Sequence, residues 1–121
     1  KRRPLTLKRI FEITDYVKLS SDEEPVRSVV SESSDAVVIV WHLLPGQRIR
    51  PHRHPAGQDT WIVLSGQGIY SLDADAETRP IFSGQIVVAH TGQVHGVVNN
   101  GNEPLQIVSV VAPVDAGYEL L

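Results

Sequence analysis

Seven short apolar runs, rich in valine and isoleucine, most strongly limit what this chain can fold into. They have the lengths and β-branched content of strands, and turn signals such as SSD, LPG and SGQG separate them. The runs are residues 26–32, 36–44, 60–64, 68–73, 86–90, 95–99 and 105–112. We find no amphipathic helix of three turns, and the segment 9–19 fits either a short helical turn or an edge strand. The sequence therefore predicts an all-β domain.

Several of these runs, notably VVIV and IVVA, are apolar at successive positions rather than at alternate ones. Strands that are covered on both faces show this pattern. In a chain of 121 residues, it favours a closed barrel, a jelly roll or an oligomer that covers the outer face. The Asn-Gly pair within the segment 99–104 predicts a tight hairpin turn, since such turns require positive φ angles.

The charge and composition of the chain exclude several classes of partner. A net charge of −3 argues against an electrostatic grip on nucleic acid. No apolar run approaches the roughly 20 residues of a membrane-spanning helix, and the first residues lack the pattern of a secretory signal. We therefore expect a cytoplasmic protein with no membrane partner. Because the sequence has no cysteine, any bound metal must be held by nitrogen and oxygen atoms.

The stretch PHRHPAGQD places two of the five histidines one residue apart. If the segment is extended, side chains at positions i and i+2 leave the same face, so His52 and His54 point the same way. Two neutral imidazoles that converge on one point suit a metal ion. A polar strand end with two exposed histidines is the other reading, and the pair alone leaves both open.

A spaced motif extends around this pair. It contains Gly46, five residues, His52 and His54, four residues, Asp59, six residues and Gly66. This spacing resembles the first motif of the cupin family, G(X)5HXH(X)3-4E(X)6G, with aspartate where the family has glutamate.

A second motif follows in the order that the family shows. It contains Gly84, five residues, His90, Thr91, Gly92, two residues, His95, three residues and Asn99. The spacing resembles the second cupin motif, G(X)5PXG(X)2H(X)3N, with His90 in the proline position. Two gapped motifs in register are a much more specific signal than the histidine pair alone.

The resemblance implies a double-stranded β-helix, the jelly-roll or RmlC-like cupin barrel, in which the two motifs line one pocket and bind a divalent transition metal. By position, the implied ligands are His52, His54, Asp59 and His95. Fe, Mn, Ni, Co, Zn and Cu all suit imidazole and carboxylate donors, and the sequence does not choose among them. Further candidate pocket residues are His42, Arg50, Gln58 and His90.

The fourth ligand is the least determined, because aspartate is one methylene shorter than glutamate. Three alternatives are open for Asp59. It binds the metal with a shift of the backbone, it does not reach the metal and leaves a three-histidine site, or it is a turn residue before the run TWIVL. Gln58 supplies an amide oxygen instead if the strand register slips by one residue. His90 is expected as a turn residue near the barrel mouth rather than a fifth ligand.

Two further positions bear on the pocket. His42 alternates with Trp41, so one of the two faces the barrel interior. Arg48 and Arg50 share the parity of His52 and would approach the pocket mouth, where they favour an anionic substrate such as a carboxylate. Solvated loop charges are the competing interpretation for both arginines.

We expect an N-terminal arm over residues 1–24, exchanged in a dimer, a cupin barrel over 25–113 and a C-terminal tail over 114–121. Small cupins often pair in this way, so the resemblance implies a homodimer. Cupin barrels include dioxygenases, isomerases and pure binding modules, so the fold does not give the function. The leading hypothesis is a metal-dependent oxygenase or isomerase that acts on a small organic molecule, with no catalytic residue identified. The alternative is a non-catalytic barrel that binds a sugar or carboxylate.

Overall fold

Antiparallel β-strands make up most of the computed structural model, which describes residues 7–73, 75, 77–113 and 115–121. One 3₁₀ turn, Ile13–Tyr16, precedes them, which agrees with the helical alternative for the segment 9–19. The strands are β1 (Ser28–Glu32), β2 (Val37–Leu43), β3 (Arg48–Arg53), β4 (Gln58–Ser65), β5 (Gln67–Ser71), β6 (Thr78–Phe82), β7 (Ile86–Ala89), β8 (His95–Val98), β9 (Leu105–Ala112) and β10 (Glu119–Leu120).

The strands form two sheets of five that face each other. The first sheet has the order β1-β2-β9-β4-β7, and the second has the order β10-β3-β8-β5-β6. Because β2 and β3 lie in opposite sheets, as do β3 and β4, the chain winds from one sheet to the other and back. This is the jelly-roll arrangement that the cupin resemblance implies.

The predicted hairpin turn over residues 99–104 is wrong. The strand before it, β8, lies in the second sheet, and the strand after it, β9, lies in the first. Asn99 is buried, and its side-chain amide donates to the carbonyl oxygens of Leu43 and Glu103. Gly101 does not take a positive φ angle, so the backbone of a tight Asn-Gly hairpin turn is not formed. The segment instead crosses between the sheets.

One half of the space between the sheets, the filled half, is packed with apolar side chains. Inward positions of β9 alternate with outward ones, as a strand with one buried face requires. The buried residues of the filled half are Leu43, Ile49, Trp61, Val63, Tyr70, Ile81, Val97, Leu105 and Ile107.

The other half, the hollow half, encloses a cavity of about 690 Å³. Its wall on the first sheet consists of Val37, Ile39 and Trp41 from β2 and Val111 from β9, and β3 faces it from the second sheet. Trp41 is therefore the member of the Trp41–His42 pair that faces inward.

The two ends of the described chain pack on the barrel. The side-chain amide of Gln47 donates to the carbonyl oxygens of Ser20 and Asp22, which fixes the end of the N-terminal arm. In the segment for which the sequence predicts a tail, β10 pairs with β3, and Ala116 is buried. Within the described ranges, no helix is long and apolar enough to cross a membrane.

Candidate metal centre

The four predicted ligands lie in three strands, or directly after one of them, and meet between the sheets. His52 lies in β3 and His95 begins β8, and the two residues are direct partners across these adjacent strands. His54 follows the last residue of β3. Asp59 lies in β4 of the opposite sheet. The jelly roll therefore brings together residues that are separated by about forty positions in the sequence.

The four side chains converge on one point. The ring centroid of His95 lies 4.1 Å from that of His52 and 5.0 Å from that of His54. Oδ2 of Asp59 lies 3.1 Å from Nε2 of His95 and 3.6 Å from Nε2 of His54. All four residues are buried, and one nitrogen or oxygen atom from each lies within 4.8 Å of the others.

Backbone carbonyl oxygens orient all three imidazoles. Nδ1 of His52 lies 2.8 Å from the carbonyl oxygen of Arg50, and Nδ1 of His95 lies 3.2 Å from that of Gln93. Nδ1 of His54 lies 2.6 Å from the carbonyl oxygen of Gly117. Because a carbonyl oxygen only accepts hydrogen bonds, each Nδ1 carries the proton, and Nε2 is the atom that each ring can offer to a metal.

The chemistry of this donor set fits a divalent transition metal. Nε2 of His54 is buried and has no hydrogen-bond partner among the described residues. A buried nitrogen in this state loses its hydration without compensation, and coordination to a metal supplies the missing partner. Three imidazole nitrogens with one carboxylate oxygen suit the metals that the sequence indicates.

Burial and hydrogen bonds shift the pKa values of the site in different directions. Burial alone would raise the pKa of Asp59, but the nearby rings of His54 and His95 and the hydrogen bond from Ser109 hold it well below its ordinary value. The Asp59 carboxylate, 3.6 Å from Nε2 of His54, raises the pKa of His54. Burial, with His95 beside it, lowers the pKa of His52 to about 4. The centre therefore holds a charged carboxylate beside a neutral His52 at neutral pH.

Two residues near the donors were missed in the sequence. Ser109 is fully buried in β9, and its hydroxyl donates to Oδ1 of Asp59 over 2.5 Å. A lone polar residue at an inward position of an apolar strand was the available signal. The Tyr118 ring centroid lies 4.8 Å from that of His52, next to Gly117. No signal pointed to Tyr118, because it lies in the segment predicted to be a tail.

Asp59 faces the donors, and Gln58 does not. Asp59 lies inside β4, where its Cα pairs with those of Ala89 and Val111, so the alternative that made it a turn residue is wrong. The side chain of Gln58 is exposed and donates to Oγ1 of Thr60. The register that would have turned Gln58 inward is not adopted.

The other candidate pocket residues divide into two groups. Arg48 and Arg50 line the cavity, and Arg48 forms an ion pair of 2.7 Å with Glu23. Among the described residues, neither His42 nor His90 belongs to the cavity wall. His90 is exposed and lies in a turn, where its backbone N–H donates to the side chain of Gln93.

Comparison with known proteins agrees with the fold and the motifs. The chain is 49% identical to an uncharacterized conserved protein with a double-stranded β-helix domain from Klebsiella pneumoniae, over 94% of this chain and 97% of that one, with a TM-score of 0.90. It is 25% identical to an RmlC-like cupin protein from Desulfovibrio desulfuricans, over 88% and 98%, with a TM-score of 0.75.

A curated relative matches the motif-bearing part of the chain. It is an oxalate-binding protein from Thermotoga maritima, 26% identical over 69 residues, which cover 57% of this chain and 55% of the relative. The matched segment thus spans about half of that relative. The family profile of the cupin domain, Cupin_2, matches residues 39–111. More than half of the chain fits this profile, and the chain belongs to the cupin superfamily.

Proposed function

We propose that this cupin binds one divalent transition metal ion through His52, His54, Asp59 and His95, and that it acts on a small organic molecule in the hollow half. The observation that supports this most strongly is the arrangement of the three imidazoles. Each Nδ1 is bound to a backbone carbonyl oxygen, so each Nε2 is available beside the Asp59 carboxylate.

The residues around the donors prepare the site for such chemistry. A bound metal ion would polarise an oxygen of the substrate or support its reaction with O₂. With four protein donors, the site would leave room beside the ion for substrate or water. Ser109 holds the carboxylate of Asp59, and the carbonyl oxygen of Gly117 holds the ring of His54. Buried Val37 and Ile39 limit the entry of water from the first sheet.

An oxygenase or isomerase reaction is the function that we propose, and a metal-dependent binding protein is the second candidate. The second candidate is supported by the Thermotoga maritima relative, which is an oxalate-binding protein. Consumption of O₂ or conversion of a bound organic acid by the metal-loaded protein would support the enzyme. Stable binding of the same acid without conversion would support the binding protein.

Metal analysis of the purified protein tests the site directly. We expect about one metal ion per chain in the unmodified protein and less than a tenth of that in His52→Ala, His54→Ala and His95→Ala. Loss of a coordinating atom costs more than the roughly 10–100-fold that loss of an outer partner costs. His90→Ala is the matched control, because His90 is exposed outside the cavity, and it should keep its metal. Equal metal content in all four variants would refute the proposal.

We also propose that two copies of the chain pair as a homodimer. Exposed apolar side chains lie together on the outer face of β4 and β7, where Ile62 is the partner of Ile86. The N-terminal arm carries further exposed apolar residues, among them Leu7, Ile10 and Leu19. A two-fold pair covers both surfaces, since each copy offers the same patch and the same arm.

Light scattering after size exclusion tests the pairing. A homodimer has twice the 13.3 kDa mass of the chain. Ile86→Lys should shift the particle toward the mass of one chain, because it places a charge in the covered patch. Val98→Lys is the control, since Val98 is exposed on the second sheet instead. A single-chain mass for the unmodified protein would refute the homodimer.

A further inference from the structure

The cavity in the hollow half has a polar inner end and an apolar side wall. His52, His54 and Asp59 occupy the inner end. The side wall consists of Val37, Ile39, Trp41 and Val111. The register joins the two parts, because Val37 is the partner of Val111 and Ile39 is the partner of Ser109, whose hydroxyl binds Asp59. A molecule held at the donors therefore lies directly against the apolar wall.

The cavity is much larger than a two-carbon diacid needs. Its volume of about 690 Å³ lies in the middle of the range for pockets that enclose drug-sized ligands, roughly 300–1,000 Å³. Such pockets are mainly apolar with a few polar groups that fix the orientation of the ligand. A small dianion at the donors would leave most of the space beside Val37, Ile39 and Trp41 unfilled.

The charges at the cavity mouth do not select a second anionic group. Arg48 is balanced by its ion pair with Glu23. Arg27 and Arg50 form no ion pair within the described ranges, but Glu24 and Asp115 also line the cavity and carry the opposite charge. The inner end differs, because a divalent ion beside the single carboxylate of Asp59 leaves net positive charge there. One anionic group of a ligand would therefore meet positive charge at the inner end. A second anionic group would meet no excess of positive charge at the mouth.

We propose that the hollow half binds an organic monocarboxylate with an apolar body, its carboxylate at the metal donors and its body against Val37, Ile39, Trp41 and Val111. This inference rests on the proposed metal site and specifies its ligand class. It separates this chain from a barrel shaped for oxalate.

Titration of the metal-loaded protein with a series of acids tests the inference. The protein is first titrated with Co²⁺, and the cobalt-loaded form is then titrated calorimetrically with acetate, butyrate, hexanoate, oxalate and adipate. Each methylene that the wall removes from water should tighten binding roughly fourfold. Hexanoate should therefore bind more tightly than acetate, oxalate or adipate. Equal affinity for acetate and hexanoate, or tighter binding of oxalate or adipate, would overturn the inference.

A pair of neighbouring variants locates the wall. Trp41→Ala should weaken binding of hexanoate about tenfold and leave acetate unchanged, because only the apolar body reaches the wall. His42→Ala is the matched control, since His42 is outside the cavity wall, and it should change neither affinity. Unchanged hexanoate binding in Trp41→Ala would overturn the inference. The acid series on the unmodified protein decides the question even if Trp41→Ala does not fold.

The cobalt titration separates the two proposals. If Co²⁺ binds and all the acids bind with the same affinity, only the proposed ligand class is wrong. If Co²⁺ does not bind, the proposed function itself is wrong.

Discussion

The two halves of the barrel interior are built from the same strands and serve different purposes. In the filled half, Trp61 packs edge-on against Tyr70 with ring centroids 5.5 Å apart, and Leu105 and Ile107 are fully buried. In the hollow half, β2 presents Val37, Ile39 and Trp41, β9 presents Ser109 and Val111, and β3 presents His52. Apolar packing in the filled half stabilises the fold, so that the hollow half can hold polar groups around open space.

His95 lies where the two halves meet. Its ring centroid lies 5.7 Å from that of Trp61 and 4.1 Å from that of His52. The filled half therefore packs against one of the four residues of the candidate metal centre. This contact explains how a rigid core can fix the geometry of a site that is itself largely hollow.

The two tryptophans of the chain provide the largest expected contrast, because Trp61 lies inside the filled half and Trp41 lies at its edge and lines the cavity. Trp61→Ala should lower the free energy of unfolding by about 3–5 kcal/mol, because it opens a cavity in a packed core. Trp41→Ala should lower it by only about 1–2 kcal/mol, since Trp41 is half-buried and already borders open space. Urea unfolding of the metal-free proteins measures both values.

A matched valine pair checks that contrast without changing an aromatic ring. Val63 is buried in the filled half, and Val111 lines the cavity. Val63→Ala should cost about 2 kcal/mol or more, and Val111→Ala about 1 kcal/mol, because only the first leaves a new enclosed void. Equal costs for the two valines would mean that the hollow half stabilises the fold as strongly as the filled half.

A smaller effect is expected at Ser109, which contacts Asp59 and is not one of the proposed ligands. Ser109→Ala should weaken metal binding by roughly 10–100-fold, the usual cost of losing an outer hydrogen bond to a ligand. A competition titration with a metal-binding dye measures the affinity. Ser65→Ala, an exposed serine of β4, is the control. Unchanged affinity in Ser109→Ala would show that the hydroxyl does not position the carboxylate.

The sequence predicted the all-β fold through its apolar runs, and its spaced motifs predicted which four residues come together between the sheets. It missed what depends on contacts between distant segments. β3, RIRPHR, is not among the apolar runs, because its inward positions include His52 and its neighbours are arginines and a proline. The same residues that make the site thus conceal the strand that carries it.

The remaining misses have the same cause. The Asn-Gly signal in the segment 99–104 is local, whereas the partners of Asn99 include the carbonyl oxygen of Leu43, a residue in a different strand. Gly117 has a φ of 81°, and a side chain there would meet Pro55, so glycine is needed to present its carbonyl to His54. The sequence around Gly117 contains no pattern from which its hydrogen bond with His54 could be predicted.

In the metal-free protein, the pKa values of His52 and His54 should be shifted in opposite directions. An NMR titration of their ring protons measures both pKa values. The pKa of His52 is lowered to about 4, because it is buried beside His95, and the interaction with Asp59 raises the pKa of His54 above 6.5. Between pH 6.5 and 4, the unfolded chain binds a proton at His52 that the folded chain does not, so His52 lowers the stability of the fold as pH falls through this window. His54 acts with the opposite sign: its contribution is present below pH 6.5 and is lost as pH rises through its folded pKa. A lower pKa for His54 than for His52 would contradict this prediction. It would mean that Asp59 does not act mainly on His54.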